Sequence, residues 1–413
     1  MRRQAVITGV GIVSPIGVGV TDFWAAARAG RSGLGRPTLY DASKLPPECQ
    51  IVGEVKGFNA RDWMPGTSGK MAGRFSQFAV AASKMARGDS GLDQSGTPMD
   101  RVKVAIGTSL NGLTDVYEPN FEAFLKNEAI APWTTLEFPA HAATSHVAID
   151  SGARGQATSF ATACLAGLDA IAWAAEQVRR GQATAVIAGS AETPLSASTV
   201  MALKAVGVLA KWLGPPEEAS RPFDQLRSGL VIAEGAGIVI VEEEENALAR
   251  GAPIYARILG VGESSEGAHL RKVDETGTVG ARAMTLALQD GGITPGEIDY
   301  VAAHGNSMHD YDAAETASLK RVFGRQAYGI PVSSIKGMCG QALAASSAMQ
   351  VVTVCLTLRD QIVAPTINYR SPDPGCDLDY VPNVARRARI RRALIHTHSL
   401  GGSHGAMVLG VPD

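Results

Sequence analysis

The sequence predicts a layered α/β fold. Short apolar runs rich in β-branched residues alternate with longer segments of helical periodicity along the whole chain. With 413 residues, 45% of them hydrophobic, the chain can bury a substantial core, and its length alone suggests two or three compact units. The sequence contains no tandem repeat, low-complexity tail or long flexible linker.

Strands and helices alternate in chain order. The predicted strands are residues 5–8, 102–107, 184–188, 237–242, 255–261, 300–303, 393–397 and 406–409. The predicted helices are residues 168–179, 280–289, 313–322 and 342–358. This order is typical of strands and helices packed in alternating layers.

One charged segment divides the chain into two halves. Residues 242–252 begin with four consecutive glutamates and end before Pro253, a composition typical of a charged surface connection. We therefore predict a boundary here, with halves at residues 1–250 and 251–413.

Charge and cysteine content disfavour several classes of protein. The 38 Lys and Arg residues nearly balance 40 Asp and Glu residues, so no overall charge favours nucleic acid or an anionic membrane. No apolar run approaches the about 20 residues that cross a bilayer, and the N-terminal residues lead into a strand, so we expect a cytoplasmic protein. Five cysteines without a CxxC pair predict reduced thiols and no metal site.

Cys164 is the first candidate for chemistry. The run from Ser159 to Leu168 approaches the cysteine with small residues and continues with helix-forming ones, which predicts a buried turn that opens a helix. Unpaired N–H groups and the positive end of the helix dipole favour a thiolate there, and the thiolate is the nucleophilic form. The alternative is a packed core thiol.

Two later motifs add candidate acid, base and charge-bearing groups. His304 follows the predicted strand 300–303 and precedes Gly305, so its imidazole is expected to leave a strand end into a loop. Lys336 lies in the run Ser334–Gln341 among apolar neighbours, which argues against a solvated surface lysine. A structural histidine and a surface lysine are the alternatives.

These motifs together resemble those of the β-ketoacyl synthase family, the condensing enzymes of fatty-acid and polyketide synthesis. The resemblance covers essentially the whole chain. It also rests on runs in the family's order at Val6–Gly17, Arg221–Asp224, Ala233–Gly237 and Ser399–Gly405. It implies a thiolase-like layered αβαβα fold built from two fused pseudo-symmetric halves.

The resemblance also implies roles for individual residues. Cys164 would take an acyl chain from the phosphopantetheine of an acyl carrier protein, with the backbone N–H groups of Cys164 and Leu400 as the oxyanion hole. Neutral His304 would donate to a malonyl thioester or handle the proton of condensation, and Lys336 would hold the charge network together. No metal or redox cofactor is implied. The implied partners are the carrier protein and a second subunit, identical or homologous.

The reaction chamber departs from the family at several positions. Gln341 stands where elongating synthases have a second catalytic histidine, and Gln350 stands where the family usually has a glutamate. Glutamine is neither acid nor base, but its NH₂ donates hydrogen bonds, so condensation stays open. Four expected substrate-binding residues also differ: Asn306 and Met308 replace threonines, Leu400 replaces a gating phenylalanine, and His404 replaces an asparagine.

Two further groups of basic residues are candidates for function. His396 and His398 share one face of a predicted strand, where one of them is a candidate replacement for the lost imidazole, against simple core packing. An acidic carrier protein favours a basic docking surface, for which the candidates are Arg386, Arg387, Arg389, Arg391, Arg392, Lys204 and Arg227.

Three functions therefore stay open. The first is a decarboxylating condensing enzyme. The second is a divergent relative that performs non-decarboxylative acyl transfer or intramolecular cyclisation, since we expect acylation of Cys164 to survive the changes better than malonyl decarboxylation. The third is a partner subunit of a heterodimer, against which the retained Cys164 argues. A dinucleotide enzyme is disfavoured because Gly9-Val10-Gly11 lacks the third glycine of that motif.

Overall fold

The computed structural model describes residues 3–66 and 68–412. Its strands are β1 (Ala5–Ser14), β2 (Gly17–Val18), β3 (Val102–Gly107), β4 (Ala157–Phe160), β5 (Ala185–Glu192), β6 (Gly235–Glu243), β7 (Ala256–Ser265), β8 (Tyr300–Ala302), β9 (Val332–Ser333), β10 (Ile362–Val363), β11 (Arg386–Arg387), β12 (Arg392–His398) and β13 (Ser403–Gly410). Its α-helices are α1 (Val20–Arg28), α2 (Ser68–Met71), α3 (Arg74–Ser90), α4 (Glu118–Leu125), α5 (Thr134–Glu137), α6 (His141–Ser151), α7 (Ala166–Arg179), α8 (Ala197–Val206), α9 (Glu244–Ala249), α10 (Thr278–Asp290), α11 (His309–Phe323), α12 (Lys336–Cys339) and α13 (Ala345–Asp360). Within the described ranges, no helix combines the length and the apolar character needed to cross a membrane.

The two halves of the chain repeat one strand order. The path runs β4-β3-β5-β6-β1-β7-β13-β12-β8-β9, with β2 paired on β1. The path strands of each half can be numbered one to five in chain order. From either edge of the sheet inward, both halves then have the order three, two, four, five, one. The corresponding neighbours also pair in the same way, parallel or antiparallel. Antiparallel pairs of Val6 with Arg257 and Ile7 with Ala256 join β1 to β7. The halves are therefore pseudo-symmetric, as the resemblance implies.

Helices α7 and α13 form the central layer. Their apolar side chains share one buried cluster with strand residues of both halves, such as Val239 and Ile395. Helix α3 packs on the opposite face of β1, β5 and β6, and α10 packs on β7 and β13. The layers are therefore helix, first half of the sheet, helix, second half of the sheet, helix. Helix α13 is buried on all sides, which explains its small and apolar composition.

Glycines of β1 set the distance to the outer helix α3. A Cβ at Gly11 would lie 2.0 Å from the carbonyl oxygen of Ala82, and one at Gly9 would lie 2.2 Å from that of Ala86. These distances are far inside van der Waals contact, so glycine is required for this packing. The glycine-rich start of the chain thus serves contact between helix and sheet.

All eight predicted strands are present, and most of them are longer than predicted. Helix α13 begins at Ala345 instead of residue 342, because Gly340 and Leu343 adopt left-handed backbone conformations, with φ of 72° and 42°. Strand β4 and several helices, including α1, α3 and α6, are not predicted. In these helices alanine, serine and polar residues interrupt the apolar periodicity.

The charged segment 242–252 is not the surface loop that the sequence predicts. Strand β6 continues to Glu243 and α9 follows at once. Glu242 is buried, accepts a hydrogen bond from Thr8 Oγ1 (2.8 Å) and pairs with Arg250. These contacts tie the segment to β1. The domain boundary at residues 250 and 251 stays a prediction.

Candidate active site

Cys164 lies at the junction of β4 and α7. After β4 ends at Phe160, Ala163–Leu165 forms a 3-10 turn that leads directly into α7. Ala163 has φ 52°, a left-handed conformation that is uncommon for a residue other than glycine. Cys164 is 6% exposed. The predicted buried turn that opens a helix is therefore confirmed.

The groups around the Cys164 thiol shift its pKa in opposite directions. Burial raises the pKa of Cys164 above its ordinary value, while the charge of Lys336 and a hydrogen bond from Gln341 lower it. Burial is the largest of these effects, so the net shift of the pKa is upward. Lys336 and Gln341 stabilise the thiolate once it forms.

A short turn brings Gln341 to the sulfur. The side-chain Nε2 of Gln341 donates to Cys164 Sγ at 3.1 Å, although the residues are 177 positions apart. The backbone N–H of Gln341 donates to Val231 O at 2.7 Å. Gly340 has φ 72°, and a Cβ there would lie 2.9 Å from Ala233 Cβ. The turn therefore requires glycine and fixes the carboxamide against the Cys164 sulfur.

Lys336 is buried beside His304. It opens α12 and is 2% exposed, which excludes a surface lysine. Its Nζ lies 3.0 Å from His304 Nδ1 and donates to the His304 carbonyl oxygen. Burial lowers the pKa of Lys336 to about 8, and the charges of Glu315, Cys164 and Asp312 oppose that shift. At neutral pH the ammonium group therefore keeps its charge next to the imidazole.

His304 is a neutral imidazole at the end of β8. Burial, followed by the charge of Lys336, holds its pKa well below 6.5. Its Nδ1 faces two donors, Lys336 Nζ at 3.0 Å and the backbone N–H of His398 at 3.4 Å. Nδ1 is therefore the acceptor and Nε2 carries the proton. The predicted position of the histidine at a strand end is confirmed.

Asn306 places a second N–H donor next to Nε2 of His304. Its Oδ1 accepts from the backbone N–H of Met308 at 3.0 Å, and its Nδ2 lies 3.2 Å from His304 Nε2. Two N–H donors therefore lie side by side here. Met308 is buried in an apolar cluster with Tyr311 and Leu400. The substrate-binding roles of Asn306 and Met308 stay predictions.

Leu400 occupies the tight turn between β12 and β13, and both strands contact the turn that carries Cys164. Gly401 and Gly402 have φ of 98° and 79°, and the N–H of Gly401 donates to Leu270 O at 2.8 Å. In the part of the chain that the structure covers, the N–H of Leu400 has no hydrogen-bond acceptor. A free N–H suits an oxyanion hole, and this role stays a prediction, as does substrate binding by Leu400.

His404 is held by other protein groups. Its Nε2 pairs with Glu266 Oε1 at 2.9 Å, and its Nδ1 lies 3.5 Å from His396 Nε2. His396 Nδ1 in turn pairs with Glu315 Oε1 at 2.6 Å. Both ring nitrogens of His404 therefore face protein groups, and its role in substrate binding stays a prediction.

Both halves of the chain match one family. Residues 2–247 match the family model for Beta-ketoacyl synthase, N-terminal domain, and residues 255–370 match the one for Beta-ketoacyl synthase, C-terminal domain. The chain belongs to the β-ketoacyl synthase family. The thiolase-like fold and the enzyme class that the resemblance implies are thereby confirmed.

Individual relatives resemble the synthase over its whole length. It is 38% identical over 410 residues to 3-oxoacyl-(acyl-carrier-protein) synthase 2 of Coxiella burnetii, covering 99% of this chain and 98% of the relative. It is 36% identical over 431 residues to the granaticin polyketide putative beta-ketoacyl synthase 1 of Streptomyces violaceoruber, covering 100% and 99%. A solved type II polyketide synthase acyl-carrier protein in complex with its ketosynthase matches with TM-score 0.91 and 34% identity, and the ishigamide ketosynthase/chain length factor with 0.93 and 31%, each covering 100% of both chains.

Sequence analysis missed the carboxylate that holds the His304 loop of this synthase. Glu315 on α11 accepts from the backbone N–H groups of His304 (2.7 Å) and Gly305 (2.8 Å), and pairs with His396. Burial alone would raise its pKa, but His396 and the two N–H groups lower it, so Glu315 is charged. It therefore fixes the backbone that carries the His304 imidazole.

Asp312 is a second missed carboxylate of the synthase. It accepts from the backbone N–H groups of Asn306 (2.9 Å) and Phe223 (2.8 Å), and burial raises its pKa to about 7. Asp312 and Glu315 lie three residues apart, so they share a face of α11. Their spacing directly after the His304 motif is the signal that could have found them.

Gln350 of the synthase binds backbone and a neighbouring hydroxyl. Its Nε2 donates to Ala303 O at 2.8 Å, and its Oε1 accepts from Thr397 Oγ1 at 3.0 Å. It therefore ties α13 to the strand ends that carry His304 and His398. This position therefore supplies no carboxylate to Lys336. The negative charges of Glu315 and Asp312 stabilise the Lys336 ammonium group instead.

The predicted docking residues of the synthase differ in exposure. Arg227 is buried and pairs with Asp373 (2.5 Å) and Asp312 (3.7 Å), so its assignment to a docking surface is wrong. The sequence could not show this, because both partners come from distant segments. The exposed arginines of the cluster are Arg386, Arg387, Arg389 and Arg391, of which Arg386 pairs with Asp379.

Among the residues described, no group of three or more His, Cys, Asp and Glu side chains is placed to hold a metal ion.

Proposed function

We propose that this synthase loads an acyl chain from a carrier-protein thioester onto Cys164 and joins it to a malonyl-type thioester in fatty-acid or polyketide biosynthesis. The observation that carries the proposal is the buried contact of Gln341 Nε2 with Cys164 Sγ (3.1 Å), together with the Lys336 and His304 pair (3.0 Å). It supports a stabilised sulfur nucleophile and a neutral imidazole donor in one chamber, which the two steps require.

The first step transfers the acyl group. The Cys164 sulfur attacks the thioester carbonyl, the bond between that carbon and the carrier sulfur breaks, and the carrier thiol leaves with the proton of the cysteine. Negative charge develops on the carbonyl oxygen, for which the N–H groups of Cys164 and Leu400 are the proposed donors. Lys336 and Gln341 stabilise the sulfur while it is charged.

The second step forms the carbon–carbon bond. The bond from the malonyl α-carbon to its carboxylate breaks, carbon dioxide leaves, and the electron pair becomes an enolate. The α-carbon then attacks the acyl carbon on Cys164. The carbon–sulfur bond breaks, and the sulfur leaves as a thiolate that takes up one proton. His304 Nε2–H and the NH₂ of Asn306 are the proposed donors to the enolate oxygen.

This chemistry sets the cofactor, partners and location that we propose. Every bond change uses sulfur, N–H donors and a leaving carbon dioxide, so no metal or redox cofactor is required. The proposed partners are an acyl carrier protein and a second subunit, identical or homologous. Support comes from similar solved structures that contain a ketosynthase with its acyl-carrier protein or with a chain length factor. We also propose a cytoplasmic location.

The deciding experiment follows both steps in one sample. Acyl carrier thioester is added first, then malonyl carrier thioester, and intact protein mass and released carbon dioxide are measured. We expect an acyl adduct, carbon dioxide and a β-ketoacyl carrier product. Cys164→Ala should abolish the adduct, whereas Cys339→Ala, at another buried cysteine, should keep it. An adduct of unchanged size in Cys164→Ala would contradict the proposal.

A second candidate function is acyl transfer without decarboxylation. It is favoured by Gln341, because the carboxamide binds the sulfur (3.1 Å) and leaves the enolate without the second imidazole of the family. This candidate predicts a full acyl adduct on Cys164 with no carbon dioxide from malonyl carrier protein. Carbon dioxide release as fast as acylation, abolished by His304→Ala, would exclude it.

A further inference from the structure

His398 is a buried imidazole that packs against the proposed active site. It ends β12 and is 2% exposed. Its ring meets that of His304 edge to face, with centroids 4.5 Å apart, and lies 4.5 Å from the ring of Tyr311. Its Nε2 is buried and has no hydrogen-bond partner within the described ranges. A buried polar atom without a partner has a free hydrogen-bonding position that a ligand can fill.

The neighbouring histidines show what simple packing would look like. His396 pairs with Glu315 (2.6 Å), and His404 pairs with Glu266 (2.9 Å), so each has a carboxylate partner. His398 has none among the residues covered by the structure, although its ring centroid lies 5.1 Å from that of His404 and 5.8 Å from that of His396. Core packing explains those two rings and does not explain the free Nε2 of His398.

The groups facing His398 keep it neutral. Burial lowers its pKa well below 6.5, and His404, His396 and Lys336 act in the same direction. The ring of Tyr311 lies tilted beside it and is uncharged at neutral pH. A neutral imidazole donates through one N–H and holds an oxyanion without transferring a proton.

We propose that His398 supplies the second imidazole of the chamber, which the chain lacks at Gln341. In this arrangement His398 Nε2–H and His304 Nε2–H both donate to the thioester oxygen of the malonyl-type substrate. The inference rests on the proposed condensing function and assigns the residue that makes it possible without a histidine at position 341.

The step balances without a further reactant. The electron pair of the breaking bond to the carboxylate moves onto the thioester oxygen, where the two N–H groups hold it as an enolate. It returns to form the carbon–carbon bond, and neither imidazole gives up its proton. Gln341 stabilises the leaving group instead, because its N–H donates to the Cys164 sulfur, which leaves as a thiolate.

Two substitutions at one position test the proposal. His398→Phe keeps a ring against Tyr311 and His304 but removes both nitrogens. His398→Gln keeps an N–H donor of similar reach. We expect both variants to form the acyl adduct on Cys164 at the wild-type rate. Carbon dioxide release from malonyl carrier protein should fall about 100-fold to 1,000-fold in His398→Phe and largely recover in His398→Gln. The loss should lie in kcat, with KM for malonyl carrier protein unchanged.

The outcomes separate this proposal from the proposed function. Carbon dioxide release within a few-fold of wild type in His398→Phe would overturn the role of His398 alone. Loss of acylation in both variants would also overturn it, because the proposal gives His398 no part in that step. Failure of the wild type to release carbon dioxide or form the β-ketoacyl product would instead overturn the proposed function.

Discussion

At the scale of single residues, Gln341 shows what a carboxamide contacts at a position where a histidine is expected. A histidine there would be an acid or base, whereas the carboxamide only donates and accepts hydrogen bonds. Its Nε2 donates to the Cys164 sulfur at 3.1 Å, and this contact lowers the pKa of a thiol that burial otherwise raises. Gln341 is therefore expected to act on the nucleophile.

Removal of this hydrogen bond should make the thiol less reactive. In Gln341→Leu we expect the pH profile of iodoacetamide alkylation at Cys164 to move to higher pH, because the thiolate loses a donor. Below the midpoint of that profile the alkylation rate is proportional to the fraction of Cys164 that is thiolate. A tenfold smaller fraction therefore lowers the rate about tenfold. Cys164→Ala measured in parallel gives the background of the four other cysteines. An unchanged profile would show that the hydrogen bond does not stabilise the thiolate.

At the scale of elements, the contact between β1 and α3 depends on glycine. Two β1 glycines lie so close to the α3 backbone that any side chain would force the layers apart. Gly88, inside α3, has open space around its Cα and lies on the exposed face of the helix. Gly11 on β1 is therefore crowded by the α3 backbone, whereas Gly88 on α3 has free space around it.

This difference predicts opposite effects of one substitution. Gly11→Ala should lower the free energy of unfolding by about 1–3 kcal/mol, the usual result of overpacking. Gly88→Ala should raise it by about 0.5–1 kcal/mol, because alanine favours helix. Urea unfolding followed by circular dichroism measures both. Equal stability of Gly11→Ala and wild type would mean that α3 moves away from β1 freely.

At the scale of the whole molecule, one edge of the sheet is bordered by apolar surface. Strand β4 ends the path, α6 packs on β3 and β4, and α5 packs on α6. The exposed apolar side chains of α4, α5 and α6 are Phe121, Phe124, Leu125, Leu136 and Ile149. An open strand edge next to apolar surface is typical of a protein–protein interface. We therefore expect the second subunit at this edge.

A charge on this surface should weaken the dimer. Phe124 is 60% exposed, so Phe124→Asp should leave the fold intact and shift sedimentation from dimer towards monomer. Leu248 on α9 is 64% exposed, and Leu248→Asp is the matched control that should stay dimeric. A dimer equally stable in both variants would place the interface elsewhere. A monomeric wild-type chain would contradict a homodimer and favour a homologous partner.

The sequence alone determined the local features of this protein. Eight of the strands, the helix-opening turn at Cys164 and the strand end at His304 follow from periodicity and neighbouring residues, because backbone conformation depends mainly on nearby side chains. Runs of glycine and small residues placed the chain in its family. The departure at Gln341 was also visible, since it is a matter of residue identity.

The tertiary structure decided which side chains meet and what their charges are. Gln341 reaches Cys164 only because the two halves pack together around α7 and α13. His398 reaches His304 because β12 pairs with β8. The same packing buries Arg227 and raises the pKa of Cys164. Burial and pKa sum the effects of neighbours from distant segments, and sequence periodicity carries no information about those neighbours.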